Sequence, residues 1–141
     1  MKRNFFIILT ILLIISAIVG CTVYNYRRTQ ANIAQYNKQY ESWYNKQILG
    51  TDFISIINKT IDNNEKNDIQ KDENNIYIED NEKSVKIYVK FLESDNIFDM
   101  EAISNNGIEN FIQNYATFSF KCTKIDYHKN GNVKSLFFEE I

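Results

Sequence analysis

His128 is the only histidine in the chain, and Cys122 is the only cysteine outside the N-terminal apolar stretch. Nucleophilic or acid–base catalysis needs a base, a nucleophile and an orienting group within mutual reach. His128 stands beside Asn130-Gly131, a turn signal, so it is expected to be solvated rather than catalytic. Cys122 alternates with Phe118 and Phe120, so it is expected to face a core as a small apolar residue, not to act as a reactive thiolate. Carboxylates are the remaining source of proton-transfer chemistry, and convergence of Glu79, Glu93 and Asp95 on one pocket would point to an enzyme. The four glycines do not cluster, so no phosphate-cradling loop is present. The expectation is a protein that is not an enzyme, with no catalytic residue and no cofactor.

Metal chemistry has one candidate. Residues 62–73 place Asp62, Asn64 and Glu73 at positions 1, 3 and 12 of a calcium loop. Lys66 would put a cation into the coordination shell, and Asn67 replaces the turn glycine. A solvated loop is the expected reading, with no metal ligand. Cys21 carries a different chemistry. It ends the run Ile18-Val19-Gly20-Cys21, which resembles a lipobox, where the cysteine after a small residue receives a lipid.

That cysteine lies within the element that dominates the sequence. Phe5 to Val23 are nineteen consecutive positions without a charge. At about 1.5 Å per residue they reach about 30 Å, the thickness of a bilayer's hydrocarbon core. Lys2 and Arg3 precede the stretch, and Tyr24, Tyr26, Arg27 and Arg28 follow it. Amphipathic rings and arginines favour the headgroup layer. Residues 1–28 are therefore expected to form a single-pass anchor in the cytoplasmic membrane, with lipid as a partner. The N-terminus is expected inside and the C-terminal part outside. A lipoprotein processed at Cys21 is the alternative, and it leaves the same domain on the same bilayer.

Residues 29–141 are enough for one small core. They hold 12 basic against all 18 acidic side chains, a net charge of −6. Phosphate backbones repel such a domain, so nucleic acid is not an expected partner. Cys122 has no cysteine to pair with inside it. The abundance of Asn, Ile, Lys and Tyr, with no Pro, fits an AT-rich bacterial coding sequence.

The elements follow from periodicity. Ile33, Tyr36, Tyr40, Trp43, Tyr44 and Ile48 recur at helical spacing, which predicts a helix continuing from the anchor to Leu49 and ending at Gly50. Its aromatic stripe is expected to pack on the domain, with Asn37 and Glu41 on the outer surface. Thr51 or Asp52 then caps a second helix with Phe53, Ile56, Ile57, Thr60 and Ile61 on one face. Residues 76–79 and 84–91 alternate as a hairpin with Ile76 and Ile78 inward. Residues 99–115 are helical, interrupted near Asn105-Asn106-Gly107. Residues 118–127 form a strand with a bulge where the alternation shifts, and Asn130-Gly131 predicts a type I′ turn into a last strand, 133–140. The predicted class is α+β, with a long N-terminal helix, a second helix, and an antiparallel sheet of about four strands with one further helix.

The segments Ile48-Leu49-Gly50-Thr51-Asp52, Ile56-Ile57-Asn58-Lys59 and Phe120-Lys121-Cys122-Thr123-Lys124-Ile125 resemble a pattern in small membrane-anchored bacterial proteins, a resemblance that implies no activity. In architecture the chain also resembles pilins and pseudopilins, whose half-apolar N-terminal helix packs on an antiparallel sheet. Asn4 stands before Phe5 where prepilins have a small residue, and the apolar stretch has no acid. No functional residue carries over. What the resemblance implies is a structural or interaction protein of the cell envelope, with other envelope proteins as partners.

Overall fold

The computed structural model describes residues 2–94 and 96–141, and of Lys2 and Arg3 the backbone only. The chain divides into two units, one ending at Tyr36 and one spanning Asn37–Ile141.

Helix α1 runs Lys2–Glu41. Its apolar side chains from Phe5 to Val23 are exposed, and it is long and apolar enough to cross a membrane. Its few polar groups there are satisfied within the helix. The hydroxyls of Thr10, Ser16 and Thr22 donate to the carbonyls of Phe6, Leu13 and Val19 at 2.9, 2.8 and 2.8 Å. A helix that satisfies its own hydroxyls meets the condition that hydrocarbon imposes on any spanning segment.

The second unit is α+β. After the last turn of α1 come β1 (Gln47–Leu49), α2 (Gly50–Lys66), β2 (Lys86–Lys90), β3 (Ile97–Asp99), α3 (Met100–Asn105), α4 (Ile108–Tyr115), β4 (Ser119–Tyr127) and β5 (Val133–Glu140). The sheet order is β1-β4-β5-β2-β3. The sheet is mixed rather than antiparallel, because β2 pairs parallel with β5, Lys86 to Ser135 through Lys90 to Glu139. The other neighbours are antiparallel. The bulge expected in β4 falls between Cys122 and Lys124.

Helix α2 covers the sheet with the face that its periodicity predicts. Phe53, Ile57 and Thr60 are fully buried. The Phe53 ring stacks on Phe120 at 5.0 Å and meets Phe138 edge-on at 5.0 Å. On the opposite side of β2 and β5, the alternate positions Tyr88, Lys90, Phe137 and Glu139 are half-buried.

Two buried asparagines act as backbone partners. Asn37 donates to Gly131 O at 2.8 Å and accepts from Val133 N–H at 2.9 Å. It is buried, not on the outer surface as its helical position suggested. Asn64 donates to Val85 O at 2.8 Å and accepts from Val85 N–H at 2.9 Å, which fixes the start of β2.

Several expectations are corrected. The α1 helix ends at Glu41, not Leu49, because Asn45 turns at φ 58° and its N–H donates to Cys122 O at 2.9 Å. Ile48 then reaches the core from a strand. Gly50 opens α2 rather than closing α1, and Leu49 occupies the N-cap without a side-chain bond, so neither Thr51 nor Asp52 is the cap. Residues 76–79 are not a strand paired with 84–91. Tyr77 is buried and Ile78 exposed, the reverse of the alternation read from hydropathy. Tyr77 wins because its hydroxyl reaches Glu65 Oε1 at 3.3 Å, its ring lies under Lys71 Nζ, and its N–H donates to Glu101 at 3.1 Å. The Asn130-Gly131 turn is not type I′, since Asn130 keeps a negative φ. Gly131 N–H donates to His128 O, and Gly131 alone is left-handed at φ 92°, the pattern of a type I turn followed by a bulge.

Gly50 is required by packing. A Cβ there would lie 1.9 Å from Tyr115 O. Backbone, not a flexible side chain, would have to move. Gly50→Ala is expected to cost about 2–3 kcal/mol and to lower the thermal midpoint by roughly 10 °C. An unchanged midpoint would contradict this close approach.

The 80–84 turn carries a pH signature. Burial pushes the Asp80 carboxyl up, but N–H donors from Ser84, Lys83 and Glu82 outweigh it and hold the group at about 2. A depressed carboxyl stabilises the fold above its ordinary value of 3.8, and that contribution is lost as pH falls toward about 2. Asp80→Asn is therefore expected to lower stability at pH 6 and to flatten its decline below pH 4, read by denaturant melts at the two pH values. Parallel pH dependence in both proteins would contradict it.

Candidate functional site

The helix break at 105–107 shapes a groove. Gly107 has φ 92°, a left-handed backbone that lets α4 leave α3 at a new angle. Asp99 caps α3 by accepting from Ala102 N–H at 2.7 Å. The two helices and the β2–β3 turn enclose a half-open cavity of about 390 Å³, within the range of small-molecule sites.

Its floor is aromatic. Phe91 lies 5.5 Å from Phe98 and 4.6 Å from Tyr115, and Phe111 lies 5.1 Å from Tyr115. Phe111 also touches Phe53 at 5.7 Å, so the floor continues into the core. The rim is polar. Asn106, Asn110 and Asn114 line it at four-residue intervals, with Glu93 and Ser94 across the opening. Asn110 Nδ2 donates to Asn106 O, and Asn114 Nδ2 to Asn110 O, each at 2.8 Å. The asparagines are positions that sequence reasoning missed. The available signal was their recurrence every four residues, since Asn is a poor helix former and gains nothing there from propensity.

The residues singled out from sequence are dispersed. Glu79 pairs with Lys134 at 2.7 Å, Glu93 sits on the groove rim, and Asp95 lies outside the described residues. Glu79 is not among the residues that line the groove where Glu93 sits. His128 is not solvated. It is buried, with Nε2 2.8 Å from Ser84 O, and ties the β4–β5 turn to the chain before β2. Cys122 is fully buried, and burial pushes its thiol up to about 11. It is a core residue at neutral pH. Asp62–Lys66 belong to α2, so the twelve-residue calcium loop does not form. Among the described residues no group of three His, Cys, Asp or Glu could hold a metal.

The buried carboxylate that sequence reasoning missed is Glu101. It forms an ion pair with Lys86 and accepts from Tyr77 N–H at 3.1 Å. Its nearness, with burial as the larger cause, raises the Tyr88 hydroxyl above its ordinary value.

The aromatic stripe divides. Tyr40 is buried, whereas Tyr44 is half exposed. Tyr44, Glu41 and Tyr127 line a second groove of about 410 Å³ beside β4, where Tyr127 OH donates to Glu41 at 2.9 Å. In the first unit, Phe5, Cys21, Val23, Tyr24, Tyr26, Arg27 and Arg28 are all exposed on α1.

Both grooves offer aromatic faces and hydrogen-bonding groups. Comparison with family models, with curated proteins and with solved structures found no match for this chain.

Proposed function

We propose that the chain is a single-pass membrane protein of the bacterial envelope whose acidic C-terminal domain lies outside the cytoplasmic membrane and binds a partner there without transforming it. The observation that carries this reading is the exposed, uncharged Phe5–Val23 segment, whose hydroxyls are satisfied within the helix. A surface so apolar has a stable place only in lipid or against another apolar surface. Tyr24, Tyr26, Arg27 and Arg28 follow it, and the second unit contains its own core.

Protease added to intact spheroplasts tests the orientation. Loss of residues 37–141 without permeabilisation is expected. Digestion only after permeabilisation would place the domain inside and overturn the reading.

A lipid anchor at Cys21 is a second reading, favoured by the exposed thiol after Gly20 in a lipobox-like run. Metabolic lipid label lost in Cys21→Ser supports it, and absence of label from both proteins rejects it. A pilin-like role in an envelope assembly is a further version of the first reading. It requires copies of this chain to be recovered together with secretion or pilus components.

A further inference from the structure

We propose that the groove between α3, α4 and the β2–β3 turn binds a neutral saccharide. The placement of that glycan outside the membrane rests on the orientation proposed above, whereas the binding itself does not.

The first argument is the pairing of surfaces. A pyranose presents C–H faces of slight positive charge, and these are attracted to the negative face of an aromatic ring. Phe98 and Tyr115 line the groove and are half-buried, so part of each ring remains accessible, while Phe91 and Phe111 beneath them are buried and hold them in place.

The second argument is the rim. A sugar's edge carries hydroxyls, each a donor and an acceptor at once. A side-chain amide offers both roles side by side. Asn110 and Asn114 each commit one N–H to the preceding turn's carbonyl, which orients the amide. Each is left with an Oδ1 acceptor and a second N–H, for which no partner occurs among the described residues. Both asparagines are exposed and line the groove.

The third argument is charge. Among the described residues no Lys, Arg or His lines the groove, and Glu93 is the one ionised group there. An anionic ligand would meet repulsion from Glu93 and from a domain of net −6. A quaternary ammonium could use the rings and Glu93, but it has no hydroxyls to engage three amides. A neutral ligand with many hydroxyls uses floor and rim together.

The test uses the full chain in nanodiscs, which avoids sugar-based detergents. Saturation-transfer NMR reads binding of chitotetraose, cellotetraose and maltotetraose, and sedimentation reads binding to purified peptidoglycan sacculi. At least one oligosaccharide is expected to bind, and Asn110→Ala with Asn114→Ala to weaken it about ten-fold or more. Both positions are exposed, so the melting curve should not change. Tyr127→Phe, in the other groove, should leave binding intact. Sacculi that bind alongside chitotetraose identify a wall glycan, through its uncharged N-acetylglucosamine units, as the source, binding of a soluble oligosaccharide alone identifies a free sugar, and sacculi that bind when no oligosaccharide does overturn the neutral-saccharide assignment. The proposal is overturned if neither the oligosaccharides nor sacculi bind, if the double variant binds as well as wild type, or if tetramethylammonium occupies the groove and the sugars do not. Sugar binding by a chain whose domain proves cytoplasmic would sink the orientation while leaving the groove assignment standing.

Discussion

Glu101→Ala is expected to destabilise the folded domain by about 3–5 kcal/mol. Glu101 and Lys86 are both buried, and their ion pair sits between α3 and β2. Removing the carboxylate leaves an ammonium with little water around it and removes the acceptor for Tyr77 N–H. That is worse than losing one attraction, because a buried charge without a partner keeps its full desolvation cost. The pair as a whole contributes far less than the single change suggests. Glu101 Oε2 has no hydrogen-bond partner among the described residues, so even the intact site is incompletely satisfied. The double change Lys86→Met with Glu101→Leu is therefore expected to recover most of the loss. Urea melts of the two single variants and the double variant check this. A double variant as unstable as Glu101→Ala would mean that the cost lies in packing or in the orphaned Tyr77 N–H rather than in the stranded charge.

Phe53→Ala is expected to cost about 3–5 kcal/mol, a large part of the stability of a domain this size. The ring is fully buried and touches Phe111, Phe120 and Phe138. It links α2 to two central strands and to the floor of the groove. Its loss is expected to loosen Phe111 as well, so ligand-groove variants should be read against it. A denaturation midpoint within the equivalent of 1 kcal/mol of wild type would show that the cavity collapses without penalty and that Phe53 is not the centre of the core.

Much of this architecture was legible in the sequence where one periodicity had no competitor. The face of α2 from Phe53 to Thr60, the interruption before α4, the bulge in β4 and the burial of Cys122 all follow from spacing. What was not legible depended on partners distant in sequence. Tyr77 displaced Ile76 and Ile78 from the core because α2 and α3 supplied acceptors for its hydroxyl and its N–H. Ile48 fits a helical stripe and a strand equally well, and pairing with Phe120 decided for the strand. Parallel pairing of β2 with β5 leaves no mark on either strand alone. Asn37, Asn64 and His128 look like surface residues until the backbone atoms they bind are known.

The groove was illegible for a related reason. Its aromatic residues come from the turn after β2, from β3 and from α4, and each has a core-like spacing in its own segment. Only their convergence beneath three asparagines distinguishes them from ordinary packing. The apolar helix, by contrast, is a property of one uninterrupted segment, and in sequence and structure alike it is long and apolar enough to cross a membrane.

The central claim, that this chain is held in a bilayer by α1, is tested most directly by alkaline carbonate extraction of membranes from cells producing the full chain beside a version lacking residues 1–28. The full chain is expected to remain in the membrane pellet and to enter the detergent phase on Triton X-114 separation, while the shortened version stays in the aqueous fraction. Recovery of the full chain in the carbonate supernatant would contradict the account.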